Sequence, residues 1–193
     1  GMDTFTYQAN DGELDSELAT VSITVTAIND APIADNIEIT TDEDSEITIE
    51  LTGSDIEGDE LTFTIVEEPN YGTYIDGIYK SDTDWFGMDT FTYQANDGEL
   101  DSELVTVSIT VTAVNDTPEL AVLGVQSTNE DSSLVLILSA TDVEDDELTY
   151  TASSDEGSVT AEVDGTTLTL TPAINWIGTA DITVTVDDGN DGT

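Results

Sequence analysis

Apolar and polar residues alternate along much of this chain, with the period of two that marks a half-buried β-strand. Val105, Val107, Ile109, Val111 and Ala113 alternate with Thr106, Ser108, Thr110 and Thr112. Phe91, Tyr93 and Ala95 alternate with Thr90, Thr92 and Gln94, and Ile182, Val184 and Val186 hold the matching positions further on. Ile47, Ile49 and Leu51 predict another strand, and Leu61, Phe63 and Ile65 one more. Threonine fills the outward positions, as β propensity favours. Asp76-Gly77 and Asp164-Gly165 stand between short strand runs and predict type I′ hairpin turns. No helical period competes.

The strand pattern repeats. GMDTFTYQANDGELDSELATVSITVTAINDAP, residues 1–32, returns at 87–118 as GMDTFTYQANDGELDSELVTVSITVTAVNDTP. The two copies lie 86 positions apart and differ only at Ala19/Val105, Ile28/Val114 and Ala31/Thr117. A weaker copy shares the period: TDEDSEITIELTGSDIEGDELTFTI from Thr41 matches TNEDSSLVLILSATDVEDDELTYTA from Thr128. Such self-similarity marks a tandem array. It predicts an all-β chain of Greek-key β-sandwich domains of about 86 residues, each with about seven strands. Residues 1–32 read as the last third of one repeat, 33–118 as a whole repeat, and 119–193 as a third without its final strand. The joints, Asn29-Asp30-Ala31-Pro32 and Asn115-Asp116-Thr117-Pro118, are short and end in proline, which predicts a stiff connection.

Charge narrows the function. There are 44 Asp and Glu against one Lys or Arg, no His, and a formal net charge of −43. Nucleic acid is excluded as a partner, because phosphate binding needs Lys and Arg. Anionic membrane surfaces are disfavoured for the same reason. The acidity reads as a solvated surface, as a cation-binding one, or as both. Cysteine is absent, so disulfides cannot brace the domains, and bound metal is the candidate substitute. No stretch approaches the roughly 20 apolar residues that span a bilayer. Without His, Cys or Arg, and with its acids set in turns that repeat with the domain period, the chain reads as non-enzymatic. Lys80, its one basic side chain, reads as exposed, and Trp85 and Trp176, each shortly before a glycine, read as core plugs at a strand entrance.

The acids are clustered in a fixed order. Each full repeat carries an early knot (Asp42-Glu43-Asp44, or Glu130-Asp131) and a second cluster, Asp55-Ile56-Glu57-Gly58-Asp59 or Asp142-Val143-Glu144-Asp145-Asp146. Then come Asn96-Asp97-Gly98 or Asp187-Asp188-Gly189, and the joint pairs Asn29-Asp30 and Asn115-Asp116. Polar turns would account for any one cluster. Their recurrence in register points to calcium, which takes six to eight oxygen ligands from carboxylates, amides and carbonyls.

With these motifs in view the chain resembles the cadherin superfamily over its whole length, most clearly the bacterial cadherin-like and Ig-like tandem repeats of giant RTX-type adhesins and VCBS-type surface proteins. TVSITVTAVNDTP, ending at Pro118, looks like the last strand and linker of a cadherin repeat. Asp55-Ile56-Glu57 looks like the DxD region, and Ala95-Asn96-Asp97-Gly98 like the A-x-D-G segment. Asp82-Thr83-Asp84 stands where a cadherin has its DRE motif, and Glu43 where the first-strand Glu would be. The resemblance implies calcium bound between successive domains. Carried over, the second joint collects Glu43, Asp82, Asp84, Asn115, Asp116, Asp142, Glu144 and Asp188. The first joint uses Asn29, Asp30, Asp55, Glu57 and Asp97, its other contributors falling before residue 1. The linker departs from the family's by being one residue shorter, with Ala27 or Ala113 in place of its first Asp, and Ala173 and Asn175 replace Asp82 and Asp84 in the third repeat.

The expected protein is an extracellular, cell-surface, calcium-rigidified repeat segment, a stalk or spacer of a bacterial adhesin or matrix filament. Its partners are calcium, neighbouring repeats and other copies of the chain. A carbohydrate- or protein-binding module is the alternative, and an acidic surface adapted to brine without specific metal is a third reading. Two surfaces are expected to be covered. Phe5, Tyr7, Val21, Ile23 and Val25, together with the open sheet edge of the third repeat, should be completed in a longer chain or between molecules. Val135 and Ile137 fall where Thr48 and Glu50 face water, and should meet a neighbouring domain or chain.

Overall fold

The computed structural model describes residues 1–190, and among them it contains strands and no helix. Strand β1 (Met2–Tyr7) pairs antiparallel with β2 (Ala19–Thr24), with Phe5 opposite Val21. Nine strands follow: β3 (Ile33–Ala34), β4 (Ile37–Asp42), β5 (Glu46–Thr48), β6 (Gly53–Ser54), β7 (Thr62–Glu67), β8 (Gly72–Ile75), β9 (Ile78–Ser81), β10 (Gly87–Asn96) and β11 (Val105–Thr112). They form one sheet in the order β4-β11-β10-β7, a second in the order β5-β9-β8, and a short β3-β6 pair. The last seven are β12 (Glu119–Leu120), β13 (Leu134–Ile137), β14 (Ala140–Thr141), β15 (Thr149–Ser154), β16 (Val159–Asp164), β17 (Thr167–Pro172) and β18 (Ile182–Asp187). Their sheets run β13-β17-β16, β15-β18 and β12-β14. The architecture is the predicted β-sandwich.

The strands belong to two compact units. The first comprises Gly1–Thr41, Glu46–Lys80 and Met88–Thr110. Its core is the inward half of the alternation: Phe91, Tyr93, Ala95, Val107 and Ile109 are buried, with Ile49 and Tyr79 from the facing strands. Tyr74 stacks on Phe91 at 4.6 Å, and Phe63 meets Tyr93 edge-on at 5.8 Å. Each buried phenol has an acceptor, as burial requires. Tyr93 Oη lies 2.6 Å from the Asp35 carbonyl and 2.9 Å from that of Thr52, and Tyr74 Oη donates to the Ile49 carbonyl at 2.9 Å. Burial raises the pKa of both phenols.

The second unit holds Asp42–Ser45, Ser81–Gly87 and everything from Val111 onward. Leu138, Leu168 and Val159 are its most buried side chains in the third repeat. Two loops of the preceding repeat, 42–45 and 81–87, are gathered here together with the joint at 115–118. That grouping decides where the acidic residues meet.

Three local expectations are corrected. The turn at Asp76-Gly77 has φ of 50° and 83°, positive at both positions as type I′ requires. In the third repeat the turn slides by one residue to Gly165-Thr166, because Asp164 still pairs with Thr167. There the positive φ is confined to Gly165, at 58°, which gives a type II′ pattern. The strand at Ile47 is short, although Ile49 extends its ladder by donating to the Gly77 carbonyl at 2.8 Å. Trp85 and Trp176 are half-buried and not core plugs. Each indole lies against the glycine two residues on: a Cβ on Gly87 would sit 3.3 Å from the Trp85 ring, and one on Gly178 2.6 Å from Trp176. Val135 and Ile137 sit on the outer face of β13, 58% and 64% exposed.

Candidate metal centre

The second joint is built from four pieces of chain inside the second unit. Glu43 follows β4. Its backbone N–H donates to the Thr112 carbonyl at 2.9 Å and its Oε1 accepts from Val114 N–H at 2.8 Å. This anchors the side chain, which is only 3% exposed, and leaves Oε2 buried without a donor. Asp44, next along, has φ of 55°, and its Oδ1 faces the amide of Asp84 at 3.4 Å; Asp84 has φ of 53°. The short side chain of Asp tolerates this left-handed conformation better than most.

The joint residues carry the same construction. Asp116 N–H donates to Glu144 Oε2 at 3.1 Å, and Asn115 Nδ2 donates to Asp188 Oδ2 at 3.0 Å. Asp142 Oδ1 accepts from Asp146 N–H at 2.9 Å. In each case one polar atom is tied down while an oxygen is left over. Glu43 Oε2, Asn115 Oδ1, Asp116 Oδ2, Asp142 Oδ2 and Glu144 Oε1 are all buried and all without a hydrogen-bond donor. Buried polar atoms without partners are rare in proteins and call for an explanation.

The carboxylates gather into three groups: Glu43, Asp116 and Glu144; Asp44, Asp84 and Asp116; Asp142, Glu144 and Asp146. Within each group the ligand oxygens lie within 4.8 Å of one another. Asp116 joins the first two groups and Glu144 joins the first to the third. At that separation each pair of ionised groups repels by about 3–4 kcal/mol at an effective dielectric near 20. No protein cation offsets this, since Lys80, the one Lys or Arg in the chain, is exposed and lies 3.9 Å from Glu46. Burial, and then the carboxylates of Glu144, Asp116 and Asp44, push the Glu43 carboxyl above its usual range against the pull of the Val114 amide. Asp84 is pushed up by desolvation and by Asp116 and Asp44. Asp188 is held low by the Asn190 amide and the Asn115 side chain. Convergent hard oxygens, no donors and excess negative charge fit Ca2+.

The residues expected at this joint from the sequence are thus partly gathered. Glu43, Asp84, Asp116, Asp142 and Glu144 stand in the three groups, and Asn115 and Asp188 are linked to each other beside them. Asp82 is in none of the groups among the described residues; its backbone carbonyl accepts from Trp85 N–H at 3.2 Å. Asp44 and Asp146 join the groups without having been expected. Their signal was present, since each belongs to an acidic run that supplied other candidates.

The first joint repeats the anchoring bonds within the first unit. Asn29 Nδ2 donates to Asp97 Oδ2 at 2.9 Å, Asp30 N–H to Glu57 Oε2 at 3.2 Å, and Asp59 and Glu57 N–H to Asp55 Oδ1 at 3.0 and 2.9 Å. The Leu100 and Glu99 amides, and then Asn29, hold Asp97 below the usual carboxylate range. Asp55 Oδ2 is buried without a donor, as its counterpart Asp142 Oδ2 is. No group of three carboxylates forms at this joint among the described residues.

Known proteins agree with this class of fold. Residues 29–110 match the family model described as a bacterial Ig domain, and residues 114–193 that described as a cadherin-like domain. These two stretches are thus similar to a bacterial Ig domain and to a cadherin-like domain, one after the other. PcdhgB3 EC1-4 is 13% identical with a TM-score of 0.63, over 98% of this chain and 54% of its own. The Protocadherin GammaB4 extracellular domain is 16% identical with a TM-score of 0.54, over 97% of this chain and 37% of its own. An endo-fucoidan hydrolase from glycoside hydrolase family 107 is 20% identical over 100% of this chain and 33% of its own, but its TM-score of 0.39 carries no argument. At these identities the likeness is one of fold, and the chain spans between 33% and 54% of the lengths of these three proteins. No curated protein matches. Cadherin-like and Ig-like domains are typically non-enzymatic, adhesion-type extracellular repeats, and cadherin-like domains commonly bind Ca2+. Among the described residues no helix is long and apolar enough to cross a membrane.

Proposed function

We propose that this chain is a non-enzymatic, calcium-rigidified stalk or spacer segment of a bacterial surface adhesin or matrix filament, working outside the cell. Its repeats run 1–32, 33–118 and 119–193. Calcium sits at the second joint on Glu43, Asp44, Asp84, Asn115, Asp116, Asp142, Glu144 and Asp146, with Asp188 orienting Asn115. Asp82 is left out of this set. Asn29, Asp30, Asp55, Glu57 and Asp97 form the equivalent half of the first joint.

One observation carries the reading: five buried oxygens at one joint have no donor, in a run of carboxylates with no protein cation. A cation answers both problems at once. It completes the coordination of the free oxygens and removes the repulsion that would otherwise favour an open, mobile joint. Stiffness is then a property of the loaded array.

Small-angle scattering at equal ionic strength tests this. Millimolar calcium should give a longer, stiffer particle than EDTA does. Asn115→Ala with Asp116→Ala should leave the calcium profile close to that of the chelated protein, while far-UV circular dichroism stays unchanged. Coincident wild-type profiles in calcium and EDTA would remove the stalk reading. The exposed pair on β13 belongs to the same proposal as a lateral contact with a neighbouring domain or another chain. Val135→Glu with Ile137→Glu should leave the third repeat folded and weaken assembly of any filament. Unchanged assembly would show that those two side chains merely tolerate water.

A further inference from the structure

Two sheets hold equivalent places in successive repeats, β5-β9-β8 and β13-β17-β16, and their outer faces differ. In the first, Tyr79 of β9 is fully buried, so by alternation Ile78 and Lys80 point outward. Ile75 flanks the other side of the Asp76-Gly77 turn, and Ile75 and Ile78 are 65% and 41% exposed. Lys80 lies opposite Glu46 of β5, 3.9 Å away, with both side chains more than half exposed. Such a pair contributes little in water and leaves the ammonium open to a stronger partner. Lys80 is also the one Lys or Arg of the chain.

The face of β13-β17-β16 is its complement. Val135 stands opposite Thr169, and Thr169 opposite Glu162. Ile137 stands opposite Thr167, and Thr167 opposite Asp164. Apolar side chains thus line one strand and exposed acids another, with half-buried threonines between them. Val135 and Ile137 replace the Thr48 and Glu50 of the earlier sheet. A partner for this face needs an apolar pair next to a positive charge. In a chain of net charge −43, most surfaces would meet it with like-charge repulsion. The face of Ile75, Ile78 and Lys80 would not.

We propose that this chain associates with a second copy of itself through these two faces. Ile75 and Ile78 of one copy pack on Val135 and Ile137 of the other, and Lys80 meets Glu162. This rests on the lateral contact proposed above for β13 and names the face that answers it. Packing the faces removes both apolar pairs from water and brings the one basic side chain to an acid that has none nearby. The two faces differ, so the contact is heterologous, and a copy that loses one face keeps the other. None of these residues is a proposed calcium ligand, so the contact is tested independently of the metal centre.

Sedimentation of the 193-residue chain at roughly 100 µM, in millimolar calcium and roughly 0.5 M salt to screen repulsion between copies, reads this directly. The wild type should form dimers and longer species. Ile75→Glu with Ile78→Glu, and Val135→Glu with Ile137→Glu, should each weaken self-association at least about tenfold, since each places charge in an apolar contact. An equimolar mixture of these two variants should recover a dimer, because each retains the face that the other has lost. Lys80→Glu should weaken association at least about fivefold, and adding Glu162→Lys, which returns the net charge to that of the wild type, should restore it. If the β13 variant associates as wild type does, the lateral contact itself fails and this proposal with it. If the β13 variant is weakened but the Ile75 and Ile78 variant is not, the β13 contact stands and only the partner named here is wrong. A monomeric wild type, a mixture that stays monomeric, or a charge exchange that restores nothing would also overturn the proposal.

Discussion

Replacing Glu43 by Gln should stabilise the metal-free protein and destabilise the calcium-loaded one. The substitution keeps the shape and the Oε1 acceptor that takes the Val114 N–H, and removes a charge that is 3% exposed among Glu144, Asp116 and Asp44. Without a cation that charge is desolvated and repelled, and neutralising it should add about 1–3 kcal/mol. With calcium the same charge is a ligand. A tenfold to hundredfold loss of affinity removes about 1.4–2.7 kcal/mol of stabilisation under saturating metal. Thermal melts in EDTA and in millimolar calcium should therefore shift in opposite directions, and a shift of one sign in both buffers would refute the assignment of Glu43.

The pH dependence follows with a definite sign. Burial and the neighbouring carboxylates raise the folded-state pKa of Glu43 above its ordinary value of 4.5. The folded metal-free protein thus holds the proton more tightly than the unfolded chain does. Stability from this group is fully present below the ordinary value and is lost as pH rises through the raised one. The advantage of Gln over Glu in EDTA should accordingly be present at neutral pH and vanish on acidification below about 4.5. Asp97 and Asp188 work the other way. Their lowered folded pKa values supply stability above the ordinary 3.8 that is lost as pH falls through the folded values. Protons also compete with calcium for Glu43, so calcium affinity should fall on acidification.

The second large effect contrasts two aspartates in the same sequence context. Asp89 is 2% exposed and accepts from four donors: the amides of Asn70, Tyr71 and Thr90 at 3.0, 3.1 and 2.8 Å, and Tyr79 Oη at 3.0 Å. It ties the 70–71 loop and β9 to the start of β10. Asp89→Ala strands several of these donors in the interior and should cost about 3–5 kcal/mol. Asp3, which stands in the first copy of the same GMDTFTY segment, is exposed and accepts from the Thr4 amide at 2.8 Å. Asp3→Ala should stay within about 0.5 kcal/mol of wild type. Urea unfolding in calcium compares the two, and equal losses would mean that Asp89 does not organise this core.

These near-identical segments also separate what is local from what is not. The loop Asn10-Asp11-Gly12-Glu13-Leu14-Asp15-Ser16 and its copy at 96–102 make the same bonds in two different surroundings. Asn10 and Asn96 donate to Asp15 and Asp101 at 2.6 and 2.7 Å, and the Gly12 and Gly98 amides both donate back at 2.7 Å. Ser16 and Ser102 each bond the alanine before the loop, at 2.9 Å through the hydroxyl and 2.8 Å through the amide. Partners at most seven residues apart need no outside help, so this loop could be read from the sequence. The strand alternation and the acidic clusters were legible for a related reason: hydrophobic period and acidic motif both recur once per repeat.

Burial was decided elsewhere. Phe5 is 54% exposed and Phe91 1%, although the residues around them are the same, because among the described residues only the second copy has β4, β7 and the facing sheet against it. The metal centre lies at the far end of this scale. Glu43 and Asp84 become neighbours of Asp116 and Glu144 only when four stretches from 43 to 146 fold together. Nothing in the spacing of those residues along the chain told Asp82 from Asp84, or singled out Asp44 and Asp146. That choice fell to the left-handed turns at Asp44 and Asp84, and to which carboxylate oxygen a nearby amide had already taken.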